Sequence, residues 1–169
     1  MKKIYLIPGL GEKCTLVRYR NLAEALSSKG YEVVPVNPDW YQPLLSQIFP
    51  VEKDAIICGF SFGAVMAYLI AQKYPCKKVI MASISPIHLF SFESLRDDYL
   101  LHMDSDMATK LAREIKSIEV RLNTLATPYT ILAGEREKML LTECKPDIIV
   151  PATGHFMSKA YIQCIADIV

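Results

Sequence analysis

The feature that most constrains this chain is its rhythm, in which short apolar runs alternate with stretches of helical period from end to end. Residues 3–8 (KIYLIP) are β-branched and aromatic and stop at Pro8-Gly9, the composition of a strand closed by a turn. Over 15–29, Leu16, Tyr19, Leu22, Ala23 and Leu26 recur at helical spacing, with Gly30 placed to cap the C-terminus. Further strands are expected at 31–36, 54–58, 77–82, 129–133 and 147–150, and Pro35 suits the first of these to a sheet edge. Residues 62–74 form an apolar helical stretch halted by Pro75, residues 158–169 a closing helix, and 41–49 a short helical piece. Met107, Leu111, Ile115, Ile118, Leu122 and Leu125 step by three or four, which predicts an amphipathic helix continuing to Leu125. Only 85–106 lacks a clean period, and so long an irregular stretch inside a domain suits a short lid over a site.

Strands alternating with helices predict a doubly wound α/β architecture, a mainly parallel sheet with helices on both faces. Its 169 residues fit one domain spanning 1–169. In such sheets ligands bind beyond the carboxyl ends of the strands, so chemistry is sought just after each apolar run.

Composition removes several function classes. The 19 basic and 18 acidic residues are dispersed, giving a net charge of +1, without the basic stripe that nucleic acid requires. No apolar run approaches the ~18 residues needed to cross a bilayer, and the N-terminal run ends too early for a secretory core. Cys14, Cys58, Cys76, Cys144 and Cys164 form an odd set without C-x-x-C spacing, which disfavours disulfides and zinc. A cytoplasmic location follows as the expectation. G-x-G-x-x-G and G-K-[ST] phosphate loops are both missing, which leaves nucleotide binding little support, and neither a metal nor a cofactor is expected.

Four strand ends carry candidate chemistry. Gly59-Phe60-Ser61-Phe62-Gly63 is a G-x-S-x-G motif between a strand and a helix, the context in which a sharp turn exposes a serine hydroxyl at a helix N-terminus. A serine needs a base to take its proton. Of the three histidines, His155 follows the last strand at the same rim as Ser61, whereas His88 and His102 fall in the irregular segment. An acid must orient the base, and Glu135 and Glu137 both follow the 129–133 strand, with Glu137 preferred for lying further beyond its end. Asp147 opens a strand, at the opposite end of the sheet. Pro8-Gly9-Leu10-Gly11 can aim a backbone N–H at a developing oxyanion, with Leu10 and Phe62 as the natural donor pair. Gly9 and Phe90 are expected to border the substrate, in a pocket lined also by Phe62, His88, Leu89 and Phe92.

The segments IPGLG, GFSFGA, LAGEREK and ATGHF, in this order, make the chain resemble the α/β-hydrolase superfamily over almost its whole length. The resemblance implies a minimal form of that fold with six strands in the order 2-1-3-4-5-6. It also implies Leu10 and Ser61 side by side at the topological switch point, and a Ser61–His155–Glu137 triad. The expected activity is hydrolysis of a small-molecule ester or thioester through an acyl-enzyme, the elbow being similar to that of some thioesterases. Two features depart from the usual pattern: Pro8 precedes the glycine loop where many members have histidine, and the acid is glutamate rather than aspartate. Two other functions fit the same residues, an acyltransferase using the same triad and a non-catalytic binding or interaction module.

Overall fold

The computed structural model describes residues 2–169. Six strands, β1 (Lys2–Ile7), β2 (Tyr31–Pro35), β3 (Ile56–Phe60), β4 (Lys78–Ala82), β5 (Tyr129–Gly134) and β6 (Ile148–Val150), form one parallel sheet in the order β2-β1-β3-β4-β5-β6. The helices are α1 (Val17–Ser28), α2 (Phe62–Lys73), α3 (Phe92–Leu100), α4 (Ser105–Ser117), α5 (Lys138–Glu143) and α6 (Lys159–Asp167). None of them is long and apolar enough to cross a membrane.

The period-2 geometry of a strand explains why these runs are apolar throughout: alternate side chains enter different cores. Ile4 and Leu6 of β1, Ile56, Cys58 and Phe60 of β3 and Ile80 and Ala82 of β4 pack with Leu22 and Leu26 of α1 and Ile165 of α6. Their neighbours Tyr5, Ile7, Ile57, Val79 and Met81 point the other way, against Val65, Met66 and Ile70 of α2 and Ala112 and Ile115 of α4. The sheet is therefore covered on both faces, and β2, which carries Pro35, is an edge.

Three expectations about the helices are corrected. The segment 85–106 is not irregular, because α3 occupies its centre. Ser91 caps it by accepting from the Ser94 amide at 3.0 Å, and Leu95 and Tyr99 bury its inner face. The predicted helix to Leu125 ends instead at Ser117, and Ile118 is already extended, with ψ 118°. Beyond that point β-branched Ile118 and Val120 lower helix propensity. The Tyr68 hydroxyl accepts from the Arg121 amide at 3.0 Å, and the later apolar positions reach the core from extended chain at Ile118 and from a single 3₁₀ turn, Leu122–Thr124, at Leu122. The helical piece expected at 41–49 contracts to a single 3₁₀ turn, Leu45–Gln47. α5 was not expected: it is six residues long and buries only Leu140.

Candidate active site

The chain turns sharply after β3. Ser61 has φ 56° and ψ −121°, a conformation costing a non-glycine residue on the order of 1–3 kcal/mol. Local crowding explains the flanking glycines. A Cβ on Gly59 would stand 2.6 Å from the Ala64 nitrogen, and one on Gly63 would stand 2.8 Å from the Ile7 carbonyl carbon. Without those side chains, α2 begins directly against the end of β1. The Ser61 amide donates to the Ala82 carbonyl at 2.9 Å, which ties the turn to β4.

The structure brings Ser61, His155 and Glu137 together. Ser61 Oγ lies 2.8 Å from His155 Nε2, and His155 Nδ1 lies 2.7 Å from Glu137 Oε1. With Glu137 ionised, Nδ1–H is the donor to the carboxylate, which leaves Nε2 to accept the Ser61 hydroxyl proton. Phe60 packs against the imidazole with ring centroids 5.4 Å apart.

Glu137 is buried and its second oxygen accepts three further hydrogen bonds: from Ser83 Oγ at 2.7 Å, Tyr161 OH at 2.7 Å and the Gly134 amide at 2.5 Å. Burial alone raises its pKa, but the donations from His155, Gly134, Tyr161 and Ser83 outweigh it and hold the carboxyl below its ordinary value. Glu135 is elsewhere, exposed and accepting from the Ala152 amide at 2.8 Å.

A pH prediction follows from Glu137. A carboxyl depressed in the folded state stabilises the fold fully above the ordinary carboxylate range and loses that contribution as pH falls through its folded value. Urea unfolding between pH 3 and pH 6 should therefore show a shallower acid loss of stability in Glu137→Gln than in the wild type. Glu135→Gln should retain the wild-type slope. Equal slopes in all three proteins would refute the assignment.

The Leu10 and Phe62 amides, one in the loop after β1 and the other at the start of α2, donate to no other group among the described residues. The Gly9 amide differs from that pattern, because it donates to the buried Tyr19 hydroxyl at 3.0 Å. The contribution of Gly9 is space: a Cβ there would meet Ser61 Cβ at 3.3 Å. Cys14 lies near the same loop. It is buried, its thiol donates to the Leu6 carbonyl at 3.3 Å, and burial pushes its pKa to about 11.

Phe90 stacks on Phe62 with centroids 6.3 Å apart and planes 9° apart, and it lines a cavity together with His155. His88, Leu89 and Phe92 line neither cavity that Phe90 borders. His88 instead faces Glu143 at 3.5 Å, and Phe92 packs into the α2 core. His102 is exposed and lies against Tyr41 at the rim of the cavity beside Phe62.

Three residues near the site were missed. Ser83 and Ser85 follow β4, so the rule that chemistry lies after strand ends could have found them. Ser85 Oγ is 3.0 Å from Ser61 Oγ. Tyr161 is a core position of α6, and no local signal marks it.

No family model matches the chain. No curated protein matches it either. Solved structures do. An α/β-hydrolase enzyme from the metagenome of lagoon sediments at Mar Chica, Morocco, superposes with TM-score 0.67 at 16% identity, over 98% of this chain and 89% of that one. A methylesterase from Arabidopsis gives TM-score 0.61 at 13% identity over 100% of both chains. The thioesterase domain from the curacin biosynthetic pathway gives 0.58 at 15% identity, over 98% of this chain and 89% of that one. Together with the six-stranded parallel sheet and its strand order, these likenesses show that the chain has the α/β-hydrolase fold.

Proposed function

We propose that the protein is a serine hydrolase that cleaves a small ester or thioester. The observation that carries this reading is the unbroken hydrogen-bonded line from Ser61 through His155 to Glu137, with the serine on a strained turn at a helix N-terminus. In the first step Ser61 Oγ bonds to the acyl carbon while its proton passes to His155 Nε2. The tetrahedral oxyanion is held by the Leu10 and Phe62 amides. On its collapse the bond to the leaving oxygen or sulfur breaks, and His155 returns the proton to that atom. Water, giving a proton to His155 Nε2, then attacks the acyl carbon, and as the acyl–Oγ bond breaks His155 passes that proton to Ser61 Oγ, releasing the acid. Glu137 keeps the imidazole in the tautomer that accepts at Nε2 and stabilises the imidazolium once formed. The likeness to a methylesterase and a thioesterase domain supports acyl chemistry of this kind.

Intact-mass spectrometry after exposure to a small fluorophosphonate tests the proposal. The expected result is one covalent adduct on the wild type and none on Ser61→Ala. A folded wild type that takes no adduct and turns over no short ester would favour the binding-module reading instead.

A further inference from the structure

Phe90 borders two cavities. The first, of about 420 Å³, is walled by Leu10, Phe62, Phe90, Leu95 and Tyr99, and its only lining carboxylate is Asp98. The second, of about 380 Å³, is lined by Ser85, Phe90, Arg136, Lys138, Met139 and His155, among others. Both fall near the lower end of the ~300–1,000 Å³ usual for small-molecule pockets. Ser61 connects them: it is bonded to Phe62 of the first and hydrogen-bonded to Ser85 and His155 of the second. The dividing ring is held in place, since Lys116 of α4 donates to the Phe90 carbonyl at 2.8 Å and Phe90 stacks on Phe62.

Chemistry sets the polarity of such a two-armed site. The group that protonates the leaving atom must stand beside it, so the leaving group belongs in the arm that His155 lines. The acyl chain is left with the arm beside the Leu10 and Phe62 amides. The charges of the arms differ as well. Arg136 and Lys138 are exposed and form no ion pair among the described residues. The remaining charge in their arm, Glu137, is buried and matched by its own donors.

We infer that the second arm selects an anionic leaving group, an alcohol or thiol bearing a carboxylate or phosphate, and that the first takes an uncharged apolar acyl chain. This assignment rests on the serine-hydrolase reading given above. The two cations act in solvent, so their effect is modest and screened by salt.

The test compares two butanoyl esters of phenols matched in leaving-group pKa, one carrying a carboxylate and the other a carboxamide. At low ionic strength kcat/KM should favour the carboxylate ester about five- to tenfold. The ratio should fall to about one in the Arg136→Gln/Lys138→Gln double variant. Moving the carboxylate to the end of the acyl chain should lower kcat/KM, because that end then meets Asp98. A ratio near one in the wild type, or one undiminished in the double variant, would overturn the proposal. Calorimetric binding of both esters to Ser61→Ala reads the same preference without turnover, so equal binding overturns it even if the wild type is inert. Charge-selective binding by a wild type that neither labels nor hydrolyses would retire the hydrolase reading and, with it, the leaving-group assignment.

Discussion

His155→Ala should lower kcat on a short aryl ester by about 10⁴- to 10⁶-fold, the range seen when one member of a nucleophile–base unit is removed. The loss is that large because no other base among the described residues stands beside Ser61. Its other neighbour, Ser85 Oγ at 3.0 Å, is a hydroxyl and not a base. His88 is committed to Glu143, and His102 lies against Tyr41. The fold should tolerate the change. The His155 side chain is half exposed, and Glu137 keeps its hydrogen bonds from Ser83, Tyr161 and Gly134. Steady-state turnover and urea unfolding on the same preparation check both halves of this expectation. A variant within tenfold of wild-type kcat would mean that the base lies elsewhere.

Gly63→Ala should rank with Gly59→Ala among the most damaging substitutions for stability, costing more than about 3 kcal/mol, a magnitude that belongs to named mechanisms such as severe overpacking. Its methyl would enter the backbone at the end of β1, 2.8 Å from the Ile7 carbonyl carbon. That backbone is fixed by parallel pairing to β2 and β3 and cannot turn aside. Gly11→Ala is the informative comparison. Gly11 has φ +71° but nothing within 4 Å of an added Cβ, so it should lose only the ~1–2 kcal/mol of left-handed strain. Urea denaturation of the two variants separates crowding from backbone strain. If Gly63→Ala were no worse than Gly11→Ala, the close approach of α2 to β1 would not be what holds the elbow. The same approach brings the loop after β1 against Ser61, where a Cβ on Gly9 would stand 3.3 Å from Ser61 Cβ, so residual folded Gly63→Ala protein should also label poorly with fluorophosphonate.

Much of this molecule is legible in the sequence, and for a simple reason. Strands buried on both faces must be apolar at every position, as in Ile4-Tyr5-Leu6-Ile7 and Ala55-Ile56-Ile57-Cys58, so they announce themselves without regard to their partners. The elbow is equally local, because its two glycines and the serine between them are dictated by one turn. Helices on the rim are less legible. α3 was obscured because Arg96, Asp97 and Asp98 interrupt a buried set of only Leu95 and Tyr99, although Ser91 stood in capping position. An apolar period records burial and not conformation, so the period through Leu125 does not make one helix: Ile118 meets the core from extended chain and Leu122 from a separate 3₁₀ turn.

What the sequence determined by itself is the alternation of elements, the sharp turn that carries Ser61 and the set of strand ends where chemistry can gather. Position in the loop favours Glu137 over Glu135 only slightly, and it is the tertiary structure that shows which of the two faces His155. The two glutamates share a loop and a composition, and only one points inward. Its environment is assembled from Ser83 after β4, Tyr161 on α6 and His155 after β6, residues up to 54 positions distant in the chain. A buried carboxylate is tolerated only where several donors converge on it, and convergence of that kind is a property of the packed molecule, which no local stretch of sequence encodes.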